Sequence, residues 1–392
     1  MSKLLSRWLF SRTVREASYL CQRVRKIASA QRDLLLPQGL DSIGRALSEV
    51  RLALSNGADT AAVLDRAANL EATANKWLRP YPAASIRENV DVMLVALVVA
   101  LGIRTFFLQP MAIPTGSMQP TLYGITYEDL RQTPDVEVPG MLARIFQRSV
   151  LGAKYCHVVA ERDDVFLGFE PPRKVAGFVH TQRMIFQNGP PHTIWFAPEK
   201  LDEKSGLHSQ RPVRKGEELI KLKVMSGDRL FVDRFTYHFR RPRRGEIVIF
   251  SSQGLPKLTP DTHYIKRLVG LGGEKTRIGD DRHLYIDGKR VEATAPGFEN
   301  LYGFHGPPQE NQYSGHLNDA TAARCGKAGL APNFPNAASE FPIPPDHYLF
   351  MGDNTLNSSD GRYFDPIPQE KVVGKCAFVF WPVSRRFGWG FR

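Results

Sequence analysis

The chain has 392 residues, 42% hydrophobic and 23% charged. That allows two or three domains with cores of their own and argues against wholesale disorder. A mean hydropathy of -0.28 rules out a multi-span membrane protein. Four cysteines without a CxxC pair (Cys21, Cys156, Cys325, Cys376) give neither a disulfide scaffold nor a structural zinc site. A net charge of +12 points to an anionic partner, nucleic acid or membrane phosphate.

In chain order, residues 1–35 read as a basic helix with Leu4, Leu5, Trp8 and Leu9 at helical spacing. Three readings stand: a helix lying on anionic lipid, an organellar transit peptide, or an ordinary solvated helix of a small cytoplasmic domain. The Ala- and Leu-rich stretch 40–79 predicts two short helices broken at Asn56-Gly57 and ended by Arg79-Pro80-Tyr81-Pro82. The twelve residues Val92–Ile103 carry no charge. Extended to Val90–Leu108 they reach about 28 Å, enough for one tilted span, with Asp91 at its edge and Arg104 able to snorkel. Residues 1–89 carry 14 Lys/Arg against 8 Asp/Glu, with Lys76, Arg79 and Arg87 nearest the span. This charge bias predicts a cytoplasmic N-terminus and a large C-terminal part across the membrane.

Beyond the span the periodicity moves towards two. Runs at 229–235, 246–250, 283–287 and 375–381 are β-branched and aromatic, and Asp287-Gly288 marks a hairpin turn. The expected organisation is a helical region 1–89, a transmembrane helix 90–108, and a β-rich domain formed by 109–123 and 223–392. Residues 124–222 form an inserted segment of unassigned role, and 295–345 a long excursion from the sheet.

Four local patterns carry the chemistry. Ser117 sits directly after the span on a loop constrained by Pro110, Pro114 and Pro120. Gly227-Asp228 opens a strand. Lys266 lies in an apolar strand-like run, where a solvated lysine is not the obvious choice. A polar loop, 351–363, follows the strand at Tyr348. Each alone is weak, since a serine in a turn is commonly a turn residue and a strand lysine commonly snorkels.

Together, in this order behind one span, the four resemble the type I signal peptidase family. The resemblance covers about 90–123, 224–292 and 345–383. It implies a mainly β fold of coiled antiparallel sheets and a membrane-bound serine endopeptidase that removes signal peptides after small residues. By that resemblance Ser117 is the nucleophile and Lys266 the general base. The backbone N–H of Ser117 and the hydroxyl of Thr115 would meet the oxyanion. Ser358 would hold the lysine amine in line, Asp360 and Arg362 would form a supporting ion pair, and Asp353 would shape the same loop. Ile113, Pro114, Met118, Leu122, Tyr264 and Ile265 match the residues that line the first specificity pocket. No cofactor or metal is expected. The implied partners are signal-peptide-bearing preproteins, the lipid bilayer and a nearby secretion translocase, at the plasma (inner) membrane.

The chemistry agrees with that pairing: a lysine accepts a serine proton only if burial among apolar groups lowers its pKa. Thr355 and Leu356 depart from the family's usual Arg-Asp, and Gly361 stands where a serine is common. A non-catalytic membrane-anchored binding protein of the same fold, and an organellar processing peptidase, are the alternatives. Intact Ser117, Lys266 and Ser358 disfavour the first. No helix-turn-helix, zinc or aromatic RNA-binding signature supports nucleic acid.

Overall fold

The computed structural model describes residues 11–79, 84–133, 135–175, 177, 179–307 and 314–389. Leu4, Leu5, Trp8, Leu9 and Pro80–Pro82 lie outside the described residues. The chain divides into two compact units, Met1–Val98 and Val99–Arg392.

Among its described residues the first unit includes the helices Arg12–Ala30, Pro37–Ser55 and Thr60–Trp77. Ser11 caps the first through the Val14 amide and Asp59 caps the third through the Ala62 amide. The break comes at Asn56-Gly57, where Gly57 takes a φ of 74°. Val14, Ala17, Cys21, Val24 and Ala28 recur every three or four residues on the first helix. They are buried with Ile43, Val50, Ala53, Val63 and Leu70 of the other two. That apolar stripe is therefore consumed inside a helical unit. The helix Ala84–Gly102 continues as a five-residue π-turn, Ile103–Phe107. Glu88–Phe107 is the one helical segment among the described residues that is long and apolar enough to cross a membrane.

The second unit is built on an antiparallel sheet. Its order is Leu108–Ala112, Arg229–Asp233, Val372–Trp381, Ile247–Ser251, His263–Leu271, His347–Met351 and Ile367–Pro368. The four-residue apolar run Ile247–Phe250 is explained by burial on both faces. Ile247 and Ile249 pack with Leu230, Val232, Met118 and Leu122, whereas Val248 and Phe250 pack with Leu268, Phe350 and Phe364. A second sheet joins Lys275–Ile278, Leu284–Ile286, Lys289–Arg290 and Phe341–Pro342. Its hairpin turns at Asp287 and Gly288, with φ of 47° and 78°. Two positive φ values in succession are what a two-residue type I′ hairpin demands. Far from hanging free, the excursion 295–345 folds onto this sheet through Phe298, Leu301, Phe334 and Ile343.

Residues 124–222 supply two further sheets. One joins Thr126–Asp129, Ala153–Val159 and Glu218–Met225; the other joins Asp164–Phe169, Arg173–Val175, Val179–Phe186 and Arg211–Val213, with His192–Trp195 paired to Val179–Phe186. Phe166, Met184, Leu201 and Ile220 form a core of their own. The strand Glu218–Met225 runs through the boundary expected at 222 without a break.

Candidate active site

Strand alternation sends neighbouring side chains to opposite faces. In His263–Leu271 it points Tyr264, Lys266 and Leu268 one way and Ile265 and Arg267 the other. Val248 pairs with Lys266 across the sheet. Both Val248 and Leu268 are fully buried, and Lys266 is 3% exposed. The Lys266 amine stands 2.6 Å from the Ser117 hydroxyl, across 149 residues of chain. Burial pushes the lysine from its ordinary 10.5 down to about 8, against the opposing pull of Asp360.

The serine loop is held at both ends by the Gly227-Asp228 step. The Ile113 amide donates to the Asp228 carbonyl and the Tyr123 amide to the Asp228 carboxylate. Arg386 closes on that carboxylate from the other side, with contacts of 2.7 and 2.9 Å. A side chain at 227 would stand 1.8 Å from the Ile113 carbonyl, so only glycine fits. From the polar loop, the Asn354 amide donates to the Ser117 carbonyl and its side chain to the Gly116 carbonyl, each at 3.1 Å. Thr115 is exposed beside the loop.

Behind this pair lie two ion pairs closed to solvent. Arg362 grips Asp360 through two contacts of 2.8 Å, and the Gly352 amide also donates to Asp360. Held by Arg362, the Asp360 carboxylate is pulled down to about 2 despite its burial. Asp353 is bound by Arg267 and by the Thr121 hydroxyl. Arg362 also donates to Thr355, which in turn accepts from the Leu317 amide and so ties the excursion to the polar loop. Asn333, in the same excursion, donates through its side chain to the carbonyls of Gly361 and Phe364. His316 is buried beside these charges, with Nδ1 2.9 Å from the Tyr302 hydroxyl. Desolvation lowers its pKa to about 4, which keeps it neutral.

The structure differs from the sequence expectations at several positions. Ser358 makes no hydrogen bond to Lys266; its hydroxyl is buried without a partner. Gly352 explains where that hydroxyl sits, since a side chain there would lie 2.2 Å from it and 2.5 Å from the Ser117 carbonyl. Met118 and Leu122 are fully buried core rather than open lining, and Ile113 is 3% exposed. Tyr264 stacks on Phe250 with ring centroids 5.7 Å apart and accepts the Thr259 amide. Among the expected lining residues Pro114 is exposed, and Tyr264 and Ile265 are half-buried. The sequence reading missed Arg267, Asn354 and Thr355 as parts of the site. Arg267 carried a usable signal: two adjacent basic residues in a buried strand must face opposite sides, and each then needs a partner. All four cysteines are free, with Cys325 exposed. Among the described residues no cluster suits a metal ion.

A buried serine–lysine pair on antiparallel sheets is the layout of the serine hydrolases that use lysine where others use histidine. The family model for signal peptidase, peptidase S26, matches residues 86–128 and 217–381, and the chain belongs to that family. It is 29% identical over 163 residues to a probable signal peptidase I-2 of Synechocystis, covering 40% of this chain and 57% of that one. It is 32% identical over 159 residues to signal peptidase I T of Bacillus subtilis, covering 40% and 67%. A solved signal peptidase I from Enterococcus faecalis is 27% identical over 35% of this chain and 97% of its own, with a TM-score of 0.22, too low to bear on the fold. The chain spans 57% to 62% of the length of the first three relatives it matches.

Proposed function

We propose that the chain is a membrane-anchored serine endopeptidase that removes signal peptides from exported preproteins. The observation that carries this is the 2.6 Å approach of the Lys266 amine to the Ser117 hydroxyl in a site closed to solvent. Neutral Lys266 accepts the Ser117 proton as Oγ attacks the scissile carbonyl, then returns it to the leaving amine. The Ser117 amide and the exposed Thr115 hydroxyl supply the oxyanion donors. Ser358 offers a hydroxyl with no other partner, available to accept from the Lys266 ammonium once the lysine has taken the serine proton. Asp360–Arg362 and Asp353–Arg267 hold the polar loop rigid behind the pair.

Specificity for small residues before the cut is assigned to Pro114 and Ile265, beside the buried Met118, Leu122 and Ile113, whose bulk would admit alanine and exclude larger side chains. The substrate adds as an extended strand along these segments. Glu88–Phe107 anchors the chain in the plasma (inner) membrane, N-terminus cytoplasmic and β-rich unit on the outer face, within reach of the translocase.

The test is cleavage of a preprotein with an Ala-x-Ala site by the purified chain in detergent, beside Ser117→Ala. Cut product from wild type alone supports the reading. An uncut preprotein with well-folded wild type overturns it in favour of a binding role.

A further inference from the structure

The helix Met141–Phe146 and its π-turn continuation Gln147–Leu151 have no buried residue. Leu142 is 83% exposed and Met141 71%, with Ile145 and Phe146 above half. An eleven-residue helical segment that buries so little of its surface gains little stability from propensity alone. It is nevertheless fixed in place. The Trp381 indole donates to the Ser149 carbonyl at 2.8 Å, and the Val383 amide donates to the Val150 carbonyl.

Next to the helix stand Trp195, 60% exposed, and Phe196. Between them lies a concavity of about 240 Å³ lined by Met141, Arg144, Ile145, Arg148, Lys154 and Trp195 among others. The Arg148 guanidinium sits 5.0 Å over the Phe196 ring, and the Lys154 amine donates to the Phe196 carbonyl. No acidic residue occurs between Glu137 and Glu161. The patch therefore combines bulky apolar tips, an exposed tryptophan and three cations with no acidic residue in that stretch. It falls in the stretch left between the two segments that the family model matches.

We propose that Met141–Leu151, with Trp195 and Phe196, is an interfacial contact with an anionic phospholipid bilayer. The apolar side chains enter the headgroup–acyl boundary, while Arg144, Arg148 and Lys154 meet lipid phosphates. Charge selects lipid over a second copy of the chain, because a two-fold contact through this patch sets three cations against three. The inference rests on the bilayer-anchored reading, since it needs the chain held at a membrane.

The test uses the full chain in vesicles of phosphatidylcholine with phosphatidylglycerol. Leu142→Cys is labelled with an environment-sensitive fluorophore in a Cys325→Ser background, and lipids carry a shallow spin-label quencher. The expected result is a blue-shifted probe quenched several-fold more than one at Lys289→Cys on the exposed hairpin. Quenching should weaken in pure phosphatidylcholine and with Arg144→Glu or Arg148→Glu. A probe left unquenched while the chain floats with the vesicles overturns the contact alone. So does a blue shift that follows protein density and ignores the quencher, which reports a second copy. A chain that does not float overturns the anchored reading and the contact with it.

Discussion

Arg267 and Asp353 meet fork to fork, Nε to Oδ1 at 2.7 Å and Nη2 to Oδ2 at 2.6 Å, with neither side chain open to solvent. The residue before Arg267 is Lys266, which faces Ser117. One step along a strand thus separates the Lys266–Ser117 contact from the ion pair that fixes the polar loop. Removing one partner of such a pair leaves a buried charge uncompensated, at about 3–5 kcal/mol. Asp353→Ala should lower the melting temperature of the purified chain accordingly, and the double variant with Arg267→Met should recover much of the loss. Equal melting of wild type and Asp353→Ala contradicts this.

Cleavage should depend on pH through Lys266. Only the neutral amine accepts the serine proton, so kcat/KM should rise with pH and level off above about 8. Stability carries the same sign. Between about 8 and 10.5 the unfolded chain holds a proton that the folded chain has released, so stability rises with pH across that window. Below it the buried ammonium costs on the order of 3 kcal/mol. Lys266→Met should therefore melt several degrees higher than wild type at pH 7. A lower melting point would show that the lysine is a structural support.

His316 supplies the acid limb. Its pKa lies at about 4, so as pH falls from about 6.5 the unfolded chain gains a proton that the folded chain refuses, and stability drops. His316→Gln should flatten that drop between pH 6.5 and 4 in a melting series. An unchanged slope would place the acid sensitivity elsewhere.

Gly352 is the tightest point of the polar loop, because a methyl group there meets Ser358 Oγ at 2.2 Å and the Ser117 carbonyl at 2.5 Å. Gly352→Ala should reduce kcat by more than about a hundred-fold through displacement of the serine. Near-wild-type turnover would show that the two loops are free to separate.

Part of the fold was legible because it is local: the Asp287-Gly288 turn and the continuous apolar run at 247–250 are short-range signals. Ser117, Lys266 and the 351–363 loop are each weak alone and carried weight only through their order behind one apolar helix. What stayed hidden depends on distant contacts. Thr355 looked like a departure from a family pattern. Its role appears only when Arg362 and the Leu317 amide, 38 residues away, converge on its hydroxyl. The depth of Met118 and Leu122 depends on Leu230 and Val232 arriving from beyond the insertion. Within the insertion, the pairings that escaped are the distant ones, Ala153–Val159 on Glu218–Met225 and Asp164–Phe169 on Arg211–Val213.

Whether Lys266 is the base for Ser117 is decided by Lys266→Met. Cleavage of an Ala-x-Ala preprotein should be measured for the purified variant, with its melting temperature recorded beside it. The expected result is a loss of at least about a thousand-fold in a chain that melts no lower than wild type. Cleavage near the wild-type rate by that folded variant would contradict it.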